Sequence, residues 1–244
     1  MAKIITILLL SLTLHSYGQT ARVDTLKVSP SPKFKDIPID KMNFPVIRTG
    51  RKTIDSLINT DIKNRFTDNE YPNLPVKEAL NKWAEDGVVY LDFEVTFNKN
   101  GMISLNISAE GCGAYCTDWT EYYNYSTITG TPVGISTIID TTGGFRDLVL
   151  KDNHNQFDQY KRDLKKQYVS KDEDLDSDTY KMALESCEEC ESTFNFRTFK
   201  LSSDSIEIIN NCWVPHFMLP LTPLIELKYS YKDVHKYLKT KNWP

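Results

Sequence analysis

The stretch that decides the fold reads Val88-Val-Tyr-Leu-Asp-Phe-Glu-Val-Thr-Phe97, Asn98-Lys-Asn-Gly101 and Met102-Ile-Ser-Leu-Asn-Ile-Ser-Ala109. Its two outer parts largely alternate apolar and polar side chains, which is the period of a strand with one buried face. The central Asn-Lys-Asn-Gly segment is typical of a hairpin turn, because Asn and Gly tolerate the left-handed backbone that such turns need. The stretch therefore predicts an antiparallel β-hairpin.

Elements of both kinds surround this hairpin. Apolar residues recur at helical spacing between Ile54 and Phe66, whereas the tail of the chain returns to short strand-like segments. The predicted elements are strands over 43–48, 88–97, 102–109, 119–127, 193–201, 205–209 and 225–229, and helices over 52–66, 76–85, within 144–169, through Tyr180 and Leu184, and over 231–239. Because strands and helices come in blocks, we predict an α+β fold with antiparallel sheets and helices packed on one side.

Size and composition are those of an ordinary globular protein. The chain has 244 residues, 40% of them hydrophobic, and only 10 Gly and 11 Pro, which argues against a collagen-like or wholly disordered chain. A formal net charge of −4 gives no global attraction to nucleic acid or anionic lipid. We expect an α+β unit over residues 43–240, undivided or as two intimately packed subdomains, with halves of about 43–115 and 116–240.

The first residues have the features of a secretory signal peptide. A single early cation, Lys3, precedes an apolar run from Ile4 to Leu14, and Gly18 precedes Gln19. This apolar run is too short to span a bilayer, which takes about 20 residues. We predict that residues 1–18 are removed, that 19–42 form an irregular lead-in, and that the protein is exported, periplasmic or secreted, without stable membrane insertion.

Export makes the cysteines candidates for disulfide bonds, since disulfides persist in oxidising compartments. Two bridges among five cysteines allow 15 pairings, because there are five choices of the spare residue and three pairings of the rest. The candidates are Cys112, Cys116, Cys187, Cys190 and Cys212. Their paired spacings also fit a zinc site with four thiolates. Redox chemistry at Cys187-Glu-Glu-Cys190 is disfavoured, because the glutamates should raise the pKa of these thiols.

An acidic stretch offers a second possible metal site. Acidic residues occupy positions 1, 3, 5 and 12 of a calcium-binding loop of the EF-hand type, namely Asp174, Asp176, Asp178 and Glu185. Position 6 is Thr179, where such a loop has Gly for its sharp turn. The alternative is an acidic approach to a helix, in which carboxylates accept hydrogen bonds from the free N–H groups of the first turn.

Aromatic residues gather around the strand predicted over 119–127. Alternation places Trp119, Glu121, Tyr123 and Tyr125 on one face of that strand and Tyr122 and Asn124 on the other. Together with Tyr115, the members of the first face are the predicted ligand-binding residues: Tyr115, Trp119, Glu121, Tyr123 and Tyr125. Such side chains can form a platform for a sugar or a protein partner. The alternative is ordinary sheet packing, in which aromatic residues are favoured.

Catalytic motifs are absent from the sequence. It contains no H-E-x-x-H, no G-x-S-x-G and no phosphate-binding G-x-x-x-x-G-K-[ST]. His154, His216 and His235 are interpreted as packing or hydrogen-bonding groups. We therefore predict no catalytic residues and no cofactor. An alternative is a cell-wall enzyme that uses Glu110, Asp118 and Glu121 as acid and base groups.

Several segments resemble a known family. They are Phe97-Asn-Lys-Asn-Gly-Met-Ile-Ser-Leu105, Tyr122-Tyr-Asn-Tyr125, Thr129-Gly-Thr-Pro-Val133 and the tail from Phe199 to Leu238. Together they resemble the domain of unknown function 3298, preceded by its 4163-type partner, over roughly residues 43–240. The resemblance implies an α+β fold and a role at the cell envelope, because that family occurs in the extracellular part of a lysozyme-sensing anti-sigma factor and beside peptidoglycan deacetylase domains. It carries over no catalytic residues.

These observations favour a non-enzymatic binding module. We expect an exported cell-envelope protein whose partner is a glycan or a protein such as a lysozyme, with no role in binding nucleic acid. The alternatives are the cell-wall enzyme described above and an immunity-type inhibitor that forms a stoichiometric complex with an enzyme.

Overall fold

The computed structural model describes residues 20–34, 37–170, 175–210, 212 and 214–239. The predicted signal peptide over 1–18 and the acidic residue Asp174 lie outside this part of the chain. The chain forms two compact units, Met1–Val133 (unit 1) and Gly134–Pro244 (unit 2). Both combine helices with antiparallel sheets, so the predicted α+β class is confirmed.

Unit 1 contains two sheets and two helices. Its elements are β1 (Arg22–Lys27), β2 (Asn43–Arg48), α1 (Lys52–Phe66), α2 (Val76–Ala84), β3 (Val88–Lys99), β4 (Met102–Cys112) and β5 (Cys116–Ser126). Strands β1 and β2 pair with each other, and β3, β4 and β5 form an antiparallel meander. The predicted hairpin is the β3–β4 turn, where Asn100 and Gly101 take positive φ angles of 55° and 74°. These are the left-handed conformations for which the sequence motif is suited.

One feature of unit 1 differs from the sequence pattern. The lead-in predicted as irregular contains strand β1, whose Arg22 pairs with Arg48 and whose Lys27 pairs with Asn43 of β2. The compact units divide after Val133. The reason is that β5 pairs along its length with β4, from Cys112–Cys116 to Met102–Ser126, and therefore belongs to the first unit.

The core of unit 1 lies between the inner face of the meander and the two helices. On β4 the inward positions Ile103, Leu105, Ile107 and Ala109 are at most 1% exposed. The side chains that meet them from α1 and α2 include Ile58, Ile62, Phe66, Leu80 and Ala84. Strand alternation thus sends every second residue of β4 into one apolar core, as the sequence pattern predicts.

A buried lysine holds the loop between α1 and α2. Lys63 is only 1% exposed, and its ammonium group donates hydrogen bonds to the carbonyl oxygens of Tyr71, Pro72 and Leu74 at 2.9, 2.9 and 3.2 Å. Burial lowers the pKa of Lys63. The three carbonyl groups provide the partners that a buried charge requires. This single side chain therefore fixes the course of the chain into α2.

Unit 2 combines two long helices and one short helix with a small sheet. Its elements are α3 (Gly144–Val169), α4 (Ser177–Ser192), β6 (Phe199–Leu201), β7 (Ser205–Ile208), β8 (Leu227–Ser230) and α5 (Tyr231–Val234). The strand predicted over 193–201 is confined to its last three residues. Glu191 of α4 joins the two long helices, with its carboxylate 2.8 Å from Lys161 Nζ and 2.5 Å from His154 Nδ1. Among the described residues, no helix combines the length and the apolar character needed to cross a membrane.

We expect the substitution Lys63→Met to destabilise unit 1. Methionine preserves the apolar stem but removes the three hydrogen bonds that the ammonium group donates to Tyr71, Pro72 and Leu74, which should lower the free energy of unfolding by about 2–3 kcal/mol. Urea unfolding measures this change. The matched control is Lys52→Met at the exposed start of α1, where a change within about 0.5 kcal/mol is expected. Equal effects at both positions would contradict the anchoring role.

Candidate functional site

A cleft of about 360 Å³ lies at one end of the meander in unit 1. It is assembled from the α1–α2 loop, the end of α2, the start of β3 and the hairpin between β4 and β5. The lining residues are Glu70, Trp83, Asp86, Gly87, Val88, Gly111, Cys112, Gly113 and Trp119. The volume falls in the lower part of the range of small-molecule sites, about 300–1,000 Å³.

A close backbone contact joins the start of β3 to the hairpin. Cys112 N donates a hydrogen bond to Gly87 O at 2.8 Å, and a Cβ on Gly87 would lie 2.4 Å from Cys112 O. Gly87 also has a φ of +125°, a conformation that side chains rarely adopt. Only glycine therefore suits this position. A disulfide between Cys112 and Cys116 closes the hairpin beside it.

Two tryptophans give the cleft its aromatic surface. Trp83 of α2 and Trp119 of β5 meet edge to face, with ring centroids 6.0 Å apart and an interplanar angle of 82°. The ring of Trp83 also packs against the ring of Phe66, with centroids 4.9 Å apart. Both indoles are half-buried, so each packs on the core and still presents a surface to the cleft. This arrangement combines rigidity with an accessible apolar face.

Acidic groups form the polar rim of the cleft. Glu70 and Asp86 line it and are exposed, and no cationic residue belongs to the described lining. The carboxylate of Asp86 lies 3.7 Å from Lys33 Nζ in an exposed ion pair. Burial raises the pKa of Tyr71, and the nearby charges of Glu70, Asp86 and Glu85 add to that shift. The charged side chains that line the cleft are therefore both acidic.

The structure separates the five predicted ligand-binding residues. Trp119 lines the cleft, and Tyr115 is 59% exposed in the hairpin beside it. Trp119, Glu121, Tyr123 and Tyr125 do share one face of β5, but that face is the inner one. Tyr123 and Tyr125 are 0% exposed, so they have no surface to offer a ligand. For these two tyrosines the packing interpretation describes the structure, and the predicted platform reduces to Trp119 with Tyr115 nearby.

The buried tyrosines instead take part in a polar network between β5 and α1. Tyr125 donates a hydrogen bond to Asp61 at 2.5 Å, and Tyr123 donates one to Glu121 at 2.5 Å. The guanidinium of Arg65 lies 4.6 Å from the centre of the Tyr123 ring. Burial raises the pKa of both tyrosines, so their hydroxyl groups stay protonated and act as donors. Burial also raises the pKa of Glu121, although the bond from Tyr123 opposes that shift.

The three acidic residues proposed for an enzyme do not converge. Glu110 and Asp118 are cross-strand partners on the outer face of the meander, whereas Glu121 lies on the inner face. None of the three lines the cleft. These three residues therefore do not provide the pair of carboxylates across one binding site that hydrolysis of a glycosidic bond requires.

Several candidate metal ligands form a disulfide bond or cap a helix in the structure. Cys112 and Cys116 lie with Glu110 in a group of suitable size, but the two sulfurs are bonded to each other and cannot ligate as thiolates. Asp176 caps α4 by accepting a hydrogen bond from Thr179 N at 2.7 Å, which lowers the pKa of Asp176. Asp178 lies in the first turn of α4, and Glu185 lies farther along the same helix. The described part of the acidic set thus follows the capping interpretation.

Most of the lining residues were not among the sequence candidates, including Glu70, Trp83, Asp86 and Gly87. The signal available for them is the run Trp83-Ala-Glu-Asp-Gly87, in which a helix ends on an aromatic residue, two acids and a glycine. That run also marks an ordinary helix terminus. Only the proximity of the β4–β5 hairpin gives it a functional meaning.

A second cleft in unit 1, of about 380 Å³, has a different character. It lies between β1, β2 and the helices, and its charged side chains are Arg48, Lys52, Lys77 and Asp55. Asp55 is buried and accepts two hydrogen bonds from Thr49, both at 2.7 Å. The exposed charge of this cleft is therefore positive, opposite to that of the first.

Comparison with known proteins shows the fold. No family model and no curated protein matches the sequence. Among solved structures, a member of the DUF3298 family from Bacteroides fragilis superposes with a TM-score of 0.52 at 14% identity, covering 92% of this chain and 96% of that one. A DUF3298 family protein from Pseudomonas aeruginosa gives a TM-score of 0.49 at 11% identity, with the same coverage. The protein is thus an α+β protein with the fold of the Bacteroides structure. The structural match supports the resemblance to domain 3298 but does not indicate an activity.

We expect Gly87→Ala to disrupt the cleft from its backbone. The new methyl group would clash with Cys112 O and strain a left-handed residue, which should lower the free energy of unfolding by about 2–4 kcal/mol. Gly113→Ala is the matched control, because a Cβ there meets nothing within 4 Å. Urea unfolding of both variants measures the difference. If Gly113→Ala proved equally destabilising, the contact between Gly87 and Cys112 would not be the cause.

The raised pKa of Glu121 predicts a pH-dependent effect of Glu121→Gln. An acid with a raised folded pKa contributes stability that is present below its unfolded pKa, about 4.3, and is lost as the pH rises through the folded pKa. Glutamine stays neutral and still accepts the bond from Tyr123. The gain of the variant over the wild type should therefore be larger at pH 7 than at pH 4.

Urea unfolding at the two pH values measures this difference for Glu121→Gln. Glu110→Gln on the outer face is the control for removing one negative charge from the sheet. A difference between Glu121→Gln and the wild type that is independent of pH would contradict the interpretation.

Proposed function

We propose that the protein is an exported, non-enzymatic binding module of the cell envelope that holds a glycan in the cleft lined by Trp83 and Trp119. The observation that carries the proposal is the edge-to-face pair of half-buried tryptophans at the wall of a concave, acid-rimmed site. The proposal includes removal of residues 1–18 as a signal peptide and correspondence of the N-terminal half to the 4163-type partner of domain 3298.

The chemistry of the lining suits a neutral sugar. The apolar face of a pyranose ring packs well on an indole, and its hydroxyl groups donate hydrogen bonds to carboxylates such as Glu70 and Asp86. Gly111 and Gly113 line the cleft without side-chain bulk and so leave room for a sugar ring. An envelope glycan built from N-acetylated sugars presents such rings and hydroxyl groups, together with amides that a main chain can recognise.

A glycan is favoured over a protein partner by the shape of the site. A protein interface usually needs a surface of about 800 Å² per partner, centred on large side chains. Here the aromatic groups lie inside a small concavity, and Tyr115 in the adjacent hairpin is the exposed aromatic beside it. The separation of Glu110, Asp118 and Glu121 gives the hydrolase alternative no support from geometry.

We expect the protein to bind N-acetylglucosamine oligomers and soluble peptidoglycan fragments, measured by titration calorimetry. Trp119→Ala should weaken binding at least about tenfold, which corresponds to ~1.4 kcal/mol, because the stacking surface is lost. Asp86→Asn tests the same cleft from an exposed position that leaves the core untouched. Unfolding curves for each variant separate a loss of binding from a loss of structure.

Two controls distinguish the cleft from other surfaces. Lys77→Ala alters the second cleft and should leave glycan binding unchanged. Tyr115→Ala tests the hairpin tip, and a lysozyme serves as the protein probe. The proposal is overturned if neither glycan probe gives heat, or if folded Trp119→Ala and Asp86→Asn bind as the wild type does. If lysozyme binds the wild type but not Tyr115→Ala, the hairpin tip is instead assigned to a protein partner.

A further inference from the structure

Three cysteines of unit 2 lie in one buried cluster. Cys187 and Cys190 of α4 are 0% and 4% exposed and pack with Phe157 of α3. Cys212 follows β7 in the chain, is half-buried and packs against the same cluster. The thiols of Cys190 and Cys212 are hydrogen-bonded to each other. Sulfur atoms from a helix and from a separate segment of the chain therefore meet directly.

Helix geometry excludes one of the three possible pairings. Cys187 and Cys190 are three residues apart within the continuous helix Ser177–Ser192. Side chains at that spacing have Cβ atoms about 5–6 Å apart, whereas a disulfide requires about 3.5–4.5 Å. A bond between them would distort α4. Cys212 is the only remaining partner for either residue, and it is Cys190 that it already contacts through a hydrogen bond.

We infer that Cys190 and Cys212 form a second disulfide of the mature protein, and that Cys187 remains a buried thiol. The bond would tie the last turn of α4 to the segment after β7 and close the loop of residues 190–212. Closing a loop of this size restricts the unfolded chain and so stabilises the folded one. The inference is independent of glycan binding, and only its occurrence in the cell depends on the proposed export.

The chemistry requires an oxidant of the disulfide class, such as oxidised glutathione. The two thiols lose two protons and two electrons as the sulfur–sulfur bond forms, and the oxidant takes them up and leaves as two thiols. Burial raises the pKa of Cys187 to about 11 and also raises the pKa of Cys212. Few thiolates are therefore available in the folded protein, and the bond should form during folding, before the cluster is buried.

The test is refolding from urea and reductant into a glutathione redox buffer. Alkylation in urea followed by peptide mass mapping should then find Cys190 joined to Cys212, Cys112 joined to Cys116, and one alkylated thiol per chain, at Cys187. Three alkylated thiols in unit 2, a bond from Cys187 to Cys212, or glutathione attached to Cys190 or Cys212 would overturn the inference. This mapping uses the wild-type chain and does not depend on the folding of any variant.

Two variants give a stability readout for the same bond. The urea midpoint of the wild type should fall on reduction, and the part of that fall due to unit 2 should be missing in Cys212→Ser, which retains the Cys112–Cys116 bond. Cys187→Ala is the matched control and should keep the full difference between oxidised and reduced protein. Equal differences for the wild type and Cys212→Ser would contradict the inference. Glycan titration of Cys212→Ser tests the separate proposal for unit 1.

Discussion

The buried ammonium group of Lys63 is the interaction on which the candidate site depends. It donates hydrogen bonds to the carbonyl groups of Tyr71, Pro72 and Leu74 and so gathers three successive parts of the loop around one charge. The loop held in this way carries Glu70 and leads directly into α2. Trp83 lies in the last turn of α2, and the chain then reaches the contact between Gly87 and Cys112. One wall of the cleft therefore follows from where this loop is fixed.

The other wall is fixed by the polar network on the inner face of β5. Tyrosine hydroxyl groups that enter an apolar core need acceptors, and Asp61 and Glu121 provide them for Tyr125 and Tyr123. The same strand carries Trp119 at the cleft, and the Cys112–Cys116 disulfide closes its start. Trp119 is thereby held on a rigid element before any ligand arrives. A weakly bound ligand such as a sugar benefits from this, because no side chain has to be ordered on binding.

Local sequence patterns were sufficient for most of the fold and for little of the site. The β3–β4 hairpin and α1 are encoded by turn residues and apolar spacing within a few residues, so their bounds could be predicted. Strand β1 was missed because its pairing with β2 is non-local and its six residues carry little alternation. The face shared by Trp119 and Tyr123 was predicted, but its direction depends on the packing of α1. The cleft joins residues 70 to 119, and no local pattern encodes that proximity.

The contrast between the two clefts of unit 1 narrows the kind of ligand that each can accept. An anionic ligand would be repelled by Glu70 and Asp86 at the first cleft and attracted by Lys52 and Lys77 at the second. A strongly cationic ligand would be attracted by the acids of the first cleft, but it would leave most of the apolar surface of the two indoles unused. A neutral ligand with an apolar face and many hydroxyl groups can pack on the indoles and also donate hydrogen bonds to the carboxylates. For this reason the glycan proposed above uses both the apolar and the acidic parts of the lining.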